Sequence, residues 1–222
     1  GGDVRLAGGA WGYGWNAGLL YQIAPDRLHV AATYRSRATL SFDGRADFSP
    51  GSPDFEPMLP DQPGTAAITL PDIITVGVMG RPRPDLALSF DTNLVLWSTY
   101  DRIDIAFQSA PSRSIVPDGH NTFTLRLGAD WASRWPGVNL RAGVIFDQAA
   151  IPSTSLGPGL PDGNRIDVTL GVGYRRGFFK GDLGYMLIAF LPRDSTSGRE
   201  GPAGTYHTLA HLVGLTLAAS WR

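Results

Sequence analysis

Basic and acidic side chains recur at every second residue in several parts of this chain, a spacing that could bring many of them to one surface. Guanidinium groups bind carboxylates through paired hydrogen bonds, so one of these cations could anchor a ligand that carries a carboxylate. The alternative is that the cations pair with aspartates on neighbouring strands and stiffen the protein. The cations are Arg35, Arg37, Arg126, Arg141, Arg175 and Lys180, and the aspartates are Asp91, Asp130, Asp147, Asp167 and Asp182.

No grouping of residues predicts catalysis or a bound metal. The chain has four histidines and no cysteine. His207 and His211 are close in sequence, but residues four apart on a strand are separated by about 13 Å, too far to share one metal ion. The Gly-x-Ser-x-Gly motif of hydrolases does not occur. We therefore predict that the protein is not an enzyme and needs no cofactor.

Apolar and polar residues alternate with a period of two in about nine segments, the pattern of β-strands with two unlike faces. No apolar run approaches the length of about 18 residues that a membrane helix needs. Charged residues make up only 18% of the chain and hydrophobic residues 43%. A soluble β-sandwich and a membrane β-barrel both fit this composition, and a net charge of −1 gives no basis for binding nucleic acid. The segments are 11–23, 28–37, 74–78, 86–96, 123–131, 138–147, 166–175, 180–187 and 209–221.

The lengths of the connections favour the barrel. Short connections at 25–27, 81–84, 134–137 and 176–177 alternate with long ones at 44–64, 108–119, 149–163 and 192–204. Outer-membrane barrels combine short periplasmic turns with long extracellular loops. We expect the apolar face to contact lipid and the charged face to line the lumen, because a charge at the lipid midplane costs about 2–4 kcal/mol. Aromatic residues near the strand ends suit girdles at the two membrane interfaces.

The odd number of strands indicates that part of the barrel is missing. A closed antiparallel barrel of the bacterial type has an even number of strands. Nine strands would leave the first and last running in the same direction. We therefore expect residues 1–222 to form a single β-barrel domain whose N-terminal strands are absent.

Apolar residues in the first long loop suggest a second kind of site. They could form a landing site for acyl chains at the outer mouth, where each buried methylene contributes about 0.8 kcal/mol. The alternative is that they pack loop against loop above the barrel. These residues are Phe48, Phe55, Met58 and Leu59.

Several short motifs occur in an order that resembles the FadL family of outer-membrane long-chain fatty-acid transporters. Each motif is weak alone, whereas their order over nearly the whole chain is more specific. They are Gly12-Tyr13-Gly14-Trp15-Asn16-Ala17-Gly18, Thr33-Tyr34-Arg35-Ser36, Phe42-Asp43-Gly44, Leu70-Pro71-Asp72, Trp97-Ser98, Arg141-Ala142-Gly143, Phe146-Asp147-Gln148, Ile151-Pro152, Leu160-Pro161-Asp162 with Arg165, and His211-Leu212-Val213-Gly214-Leu215.

The resemblance implies an all-β, antiparallel transmembrane barrel of about fourteen strands, of which this chain would supply the later ones. It further implies an N-terminal hatch in the lumen, a location in the bacterial outer membrane, and passive uptake of long-chain fatty acids or similar hydrophobic molecules. Outer-membrane lipid and the barrel assembly machinery would be the partners. Two other functions stay open: an outer-membrane barrel with a structural or adhesive role, and a soluble β-sandwich that binds ligands.

Overall fold

Strands account for nearly all the regular structure in the computed structural model of this chain. The remaining elements are three short 3₁₀ helices, at Pro53–Met58, Trp97–Thr99 and Ser153–Ser155. Among the described residues, no helix combines the length and apolar composition needed to cross a membrane. The structure describes residues 3–49, 52–58, 60–100, 103–109, 112–115, 118–156, 162–196 and 203–221.

Nine strands form one antiparallel sheet, which we call the wall, and they coincide with the nine alternating segments. Their order across the sheet is β16-β13-β12-β11-β10-β7-β6-β3-β2. Neighbours in the sheet are also successive wall strands along the chain, so the wall is an up-and-down meander. The strands are β2 (Asn16–Ala24), β3 (Leu28–Arg35), β6 (Ile73–Arg83), β7 (Leu86–Val95), β10 (Thr122–Ala132), β11 (Val138–Asp147), β12 (Arg165–Arg176), β13 (Phe179–Phe190) and β16 (Leu209–Ala219).

Short connections lie along one edge of the wall and long ones along the other, as the sequence predicts. Two of the tight turns depend on glycine in the left-handed backbone region, with φ of 78° at Gly137 and 58° at Gly177. A Cβ on Gly137 would lie 2.2 Å from the carbonyl oxygen of Arg175, so no larger residue fits there. We call this edge the turn edge and the opposite edge the loop edge.

The prediction that 44–64 and 108–119 are loops is only partly correct, because strands extend into both. A second antiparallel sheet, here the distal sheet, has the order β1-β4-β5-β8-β9. Two of its strands are joined to wall strands by two-residue bends at the loop edge, β3 to β4 at 36–37 and β5 to β6 at 71–72. A further two-stranded pair begins in the predicted loop 192–204 and ends just beyond it, at residue 206. The additional strands are β1 (Asp3–Gly9), β4 (Ala38–Ser49), β5 (Gln62–Leu70), β8 (Ile103–Phe107), β9 (Arg113–Ile115), β14 (Arg193–Ser195) and β15 (Gly204–Tyr206).

The apolar face of the wall is uncovered. Leu127, Leu170 and Val213 are 61%, 57% and 74% exposed. Within the described residues, the buried hydrophobic side chains are only Ala46, Ala149, Ile151 and Leu156. In a soluble β-sandwich the apolar face would lie between two sheets. An uncovered apolar face is instead typical of a wall that contacts lipid.

Large aromatic side chains border this apolar face at both edges. At the turn edge, the indole Nε1 of Trp131 donates a hydrogen bond of 2.9 Å to Asp85. This arrangement is expected for an indole ring at an interface between an apolar and an aqueous phase. At the loop edge, Trp97 and Tyr100 meet edge to face at 5.9 Å. Other exposed aromatic residues near the turn edge are Tyr21, Trp135, Tyr174, Phe178, Phe179 and Trp221.

The wall is an open sheet. Within the described residues β2 pairs only with β3, and β16 pairs only with β13. The chain therefore forms part of a barrel wall and no closed barrel.

Candidate functional site

The polar face of the wall carries a chain of ion pairs that crosses four strands. Arg141 on β11 lies at its centre. Its Nε donates to Asp130 on β10 at 2.9 Å, and one terminal nitrogen donates to Asp182 on β13 at 2.7 Å. Lys180 reaches the other oxygen of Asp182 at 3.1 Å. Together these contacts tie β10, β11 and β13 into one unit.

A glycine on the intervening strand makes this reach possible. Gly173 on β12 pairs with Asp182 on β13 and with Asn139 on β11. A Cβ at Gly173 would lie 2.6 Å from the Asp182 carboxylate and 3.3 Å from a terminal nitrogen of Arg141. The absence of a side chain at this position therefore lets the arginine cross above β12.

Further charged pairs lie nearer the loop edge on the same face. Arg126 donates to Asp91 at 2.8 Å. Arg165 lies 2.7 Å from Asp147, whose other oxygen accepts the hydroxyl of Thr124 at 2.5 Å. Asp167 is 2% exposed, and its shortest ion-pair distance is 3.6 Å, to Nε of Arg165. The structure thus brings together most of the charges that the sequence placed on this face.

Arg37 lies in a different place from the one expected. It follows the end of β3 and takes part in the bend that leads into β4. Both its backbone N–H and its Nε donate to Asp72 at 2.8 Å, and Tyr34 donates its hydroxyl to the same carboxylate at 2.6 Å. The hydrogen bonds from Tyr34 and from the Arg37 backbone, with the Arg37 charge, hold the pKa of Asp72 below its usual range, although burial opposes them.

Arg35 and Arg175 differ from the other four predicted cations. Both are exposed, and neither has an ion pair within the described part of the chain. Arg175 pairs with Lys180 in the β12–β13 register near the turn edge. Of the six cations proposed as carboxylate anchors, four are thus already bonded to aspartates. Ligand binding by any of the six stays a prediction.

The apolar residues of the first long loop are only partly brought together. Phe48 packs edge to face against Phe107 on β8 at 5.6 Å, and Met58 is 70% exposed. Phe55 falls within the 3₁₀ helix Pro53–Met58, and Leu59 lies outside the described residues. The role of these residues as an outer landing site remains a prediction.

A tripeptide that the sequence repeats supplies aspartates with a structural role. Leu-Pro-Asp occurs at 59–61, 70–72 and 160–162. Asp61 accepts the backbone N–H of Phe48, Asp72 accepts that of Arg37, and Asp162 accepts those of Ala150, Ile151 and Gly163. In all three places an aspartate after proline accepts backbone N–H groups next to a strand end, and the repeated tripeptide is the signal that could have revealed this.

Within the described residues, no group of three or more histidine, cysteine, aspartate or glutamate side chains is arranged to hold a metal ion. What the polar face does carry is ion pairs and hydrogen bonds between side chains of different strands. An antiparallel meander with one exposed apolar face, one ionic face and long connections on a single edge defines the wall of an outer-membrane β-barrel.

Comparison with known proteins identifies the family. The family model described as outer membrane protein transport protein (OMPP1/FadL/TodX) matches residues 4–191. The chain belongs to this family, and its location is the outer membrane.

Named relatives come from several bacteria. The chain is 24% identical over 210 residues to the long-chain fatty acid transport protein of Escherichia coli K12, an alignment covering 90% of this chain and 46% of the relative. It is 27% identical over 181 residues to outer membrane protein P1 of Haemophilus influenzae, covering 81% of this chain and 38% of the relative. The chain thus spans less than half the length of these relatives.

Solved structures share the fold. A FadL homologue from Pseudomonas aeruginosa superposes with a TM-score of 0.76 at 20% identity, covering 92% of this chain and 50% of that one. The toluene transporter TbuX of Ralstonia pickettii superposes with a TM-score of 0.67 at 19% identity, covering 98% of this chain and 50% of that one. These similarities support the all-β partial barrel.

Proposed function

We propose that the protein containing this chain carries hydrophobic small molecules, long-chain fatty acids foremost, across the outer membrane by passive diffusion. The observation that carries the proposal is the division of the wall into an exposed apolar face and a face crossed by ion pairs. Charges on a lipid-facing surface cost about 2–4 kcal/mol each at the midplane. The ionic face is therefore the one that would line a lumen. We further propose that residues 1–222 belong to one barrel domain.

The class of ligand is supported by the family and by the names of relatives. Some relatives are named for long-chain fatty acids and others for toluene. Apolar contacts would supply most of the binding energy, at about 0.8 kcal/mol per buried methylene. Arg35 and Arg175 are the predicted cations still available for a carboxylate, and Phe48 and Met58 are the described members of the proposed outer landing site.

Insertion into the membrane would bring two further partners. Outer-membrane lipid would cover the exposed leucines and valines of the wall. The barrel assembly machinery would insert the protein, because strands in a bilayer need every backbone N–H and C=O group paired within a barrel.

Uptake by living cells tests the proposal. The full-length gene is expressed in a strain lacking its own fatty-acid transporter, and uptake of radiolabelled oleate is measured with toluene as competitor. We expect uptake to be restored, and the competitor to reduce it if both ligands use the same route. A correctly inserted protein that restores uptake of neither compound would contradict the proposal and favour a structural or adhesive barrel.

A further inference from the structure

A polar cavity of about 300 Å³ lies at the loop edge of the wall. Its polar lining comes from four separate segments: His120 precedes β10, Gln148 follows β11, Asn164 precedes β12, and Arg193 begins β14. The apolar part of the lining is Ala149, Leu191 and Pro192.

The two amide side chains present hydrogen-bond donors. The side-chain oxygen of Gln148 accepts the backbone N–H of Phe123 at 3.3 Å, and that of Asn164 accepts the backbone N–H of Ala149 at 2.8 Å. An amide whose oxygen is already bonded offers its NH₂ group to any further partner. Backbone donors therefore set the orientation of both amides.

Arg193 is incompletely bonded. One terminal nitrogen donates to the carbonyl oxygen of Ile151 at 2.6 Å. The other terminal nitrogen is buried and has no hydrogen-bond partner among the described residues. Buried guanidinium nitrogens without an acceptor are costly and uncommon, so an acceptor from outside the chain would complete this group.

Among the described residues, no acidic side chain lines the cavity. Asp162 lies two residues before Asn164, but its carboxylate is directed at the N–H groups of Ala150, Ile151 and Gly163 and is not part of the lining. Asp194 follows Arg193 and accepts the hydroxyl of Thr205 at 2.6 Å. The cavity therefore combines one permanent positive charge with several N–H donors.

We propose that this cavity binds the carboxylate of an amphiphilic ligand at the outer mouth of the barrel. Arg193 supplies the charge, and Gln148, Asn164 and His120 supply further donors. Leu191 and Pro192 contact the first methylenes of the tail. A single permanent cation matches a monoanionic carboxylate better than a phosphate dianion. This inference rests on the proposed function and identifies where the headgroup of the ligand would bind. Arg126, Arg141 and Lys180 are less suited to that role, because they are already bonded to aspartates.

Two variants of the full-length protein test the assignment. Purified in detergent, the protein is dialysed to equilibrium against radiolabelled oleate and, separately, against oleyl alcohol, which has the same chain without the charge. R193Q removes the cation, and we expect the Kd for oleate to rise about tenfold, as for loss of one charge-assisted hydrogen bond. Q148E keeps the oxygen that accepts the Phe123 N–H but adds a negative charge, so it should weaken oleate binding as well.

Oleyl alcohol and a distant arginine provide the controls. Binding of the alcohol should stay unchanged in both variants, and R83Q, which removes an exposed arginine near the turn edge, should bind oleate like the wild type. Wild-type affinity for oleate in both R193Q and Q148E would overturn the assignment, and so would an equal loss of oleate and oleyl alcohol. Either result leaves the proposed transport standing if the wild type takes up oleate in cells. Failure of the wild type to take up any hydrophobic compound would instead refute the transport proposal.

Discussion

The wall and the distal sheet are built partly from the same long stretches of chain, yet they hold their charges in different ways. In the wall, Arg141 bonds to aspartates on two other strands, and the side chain of Asp182 is only 21% exposed. In the distal sheet, Arg45 bonds at 2.8 Å to Asp47 on its own strand, and its side chain is 64% exposed. The first arrangement connects three wall strands through contacts of 2.7 and 2.9 Å, whereas the second has its short contact within one strand and reaches Asp61, beside β5, only at 3.6 Å.

This difference follows from what each sheet contacts. The ionic face of the wall is backed by the uncovered apolar face, so its charges find partners on their own side of the sheet. Ion pairs in water contribute only about 0–1 kcal/mol, whereas hydrogen bonds to charged groups in sheltered sites contribute about 1.5–3 kcal/mol. We therefore expect substitutions in the wall and at the bends to cost more than substitutions in the distal sheet.

The bend between the two sheets should be the most sensitive place. Asp72 is 2% exposed and accepts bonds from Tyr34 and from both the backbone and the side chain of Arg37. In D72A we expect the free energy of unfolding to fall by about 3 kcal/mol, because the bend loses three hydrogen bonds worth about 1 kcal/mol each. Urea unfolding of the full-length protein in lipid vesicles, followed by tryptophan fluorescence, measures this change. Y34F, which removes one of the three bonds, should lower the free energy of unfolding by about 1 kcal/mol. Equal free energies of unfolding for D72A and Y34F would show that the bonds between Asp72 and Arg37 do not stabilise the bend.

The same aspartate should make stability depend on acid pH. Its pKa is lowered in the folded protein, so its contribution is complete above the unfolded pKa of about 3.9 and is lost as the pH falls through the folded value. Between about pH 4 and pH 2, the wild type should therefore lose more stability than D72N, which has no carboxylate to protonate. Parallel unfolding curves for the two proteins across this range would contradict the assignment of the lowered pKa to the bend.

Two glycines on the ionic face of the wall offer a matched pair. A Cβ at Gly173 would meet Asp182 at 2.6 Å, whereas a Cβ at Gly184 would meet nothing within 4 Å. We expect G173V to push Asp182 away from Arg141 and to cost about 2 kcal/mol, and G184V to change stability by less than about 0.5 kcal/mol. The urea midpoints of the two variants provide the comparison. Equal midpoints would mean that the reach of Arg141 across β12 does not stabilise the wall.

The smallest effect is expected in the distal sheet. R45Q breaks the exposed pairs of Arg45 with Asp47 and Asp61, and the free energy of unfolding should change by less than about 0.5 kcal/mol. A loss as large as that of G173V would remove the distinction between the two sheets. Raising the salt concentration sharpens the test, because exposed pairs are screened more than sheltered ones.

Several features of the site could be predicted and others could not. Period-two alternation placed Asp130, Arg141 and Asp182 on one face, as the structure confirms. The same pattern assigned Arg37 to that face, whereas the structure places it in a bend, because alternation cannot reveal where a strand stops. No pattern in the sequence predicts a role for Arg193, because it lies in a connection without periodicity. Only the folded loops bring it next to Gln148 and Asn164.

The sequence by itself determined the nine wall strands, their two unlike faces and the two kinds of connection, because side-chain alternation and turn chemistry are local properties of the chain. Tertiary structure alone decided which charges meet, since Arg141 reaches Asp182 only where register brings Gly173 between them. It also decided that strands continue into the distal sheet, where β4 pairs with β1 and β5, and β5 also pairs with β8. Pairing between distant segments depends on the register and bends of the whole sheet, which no single segment encodes.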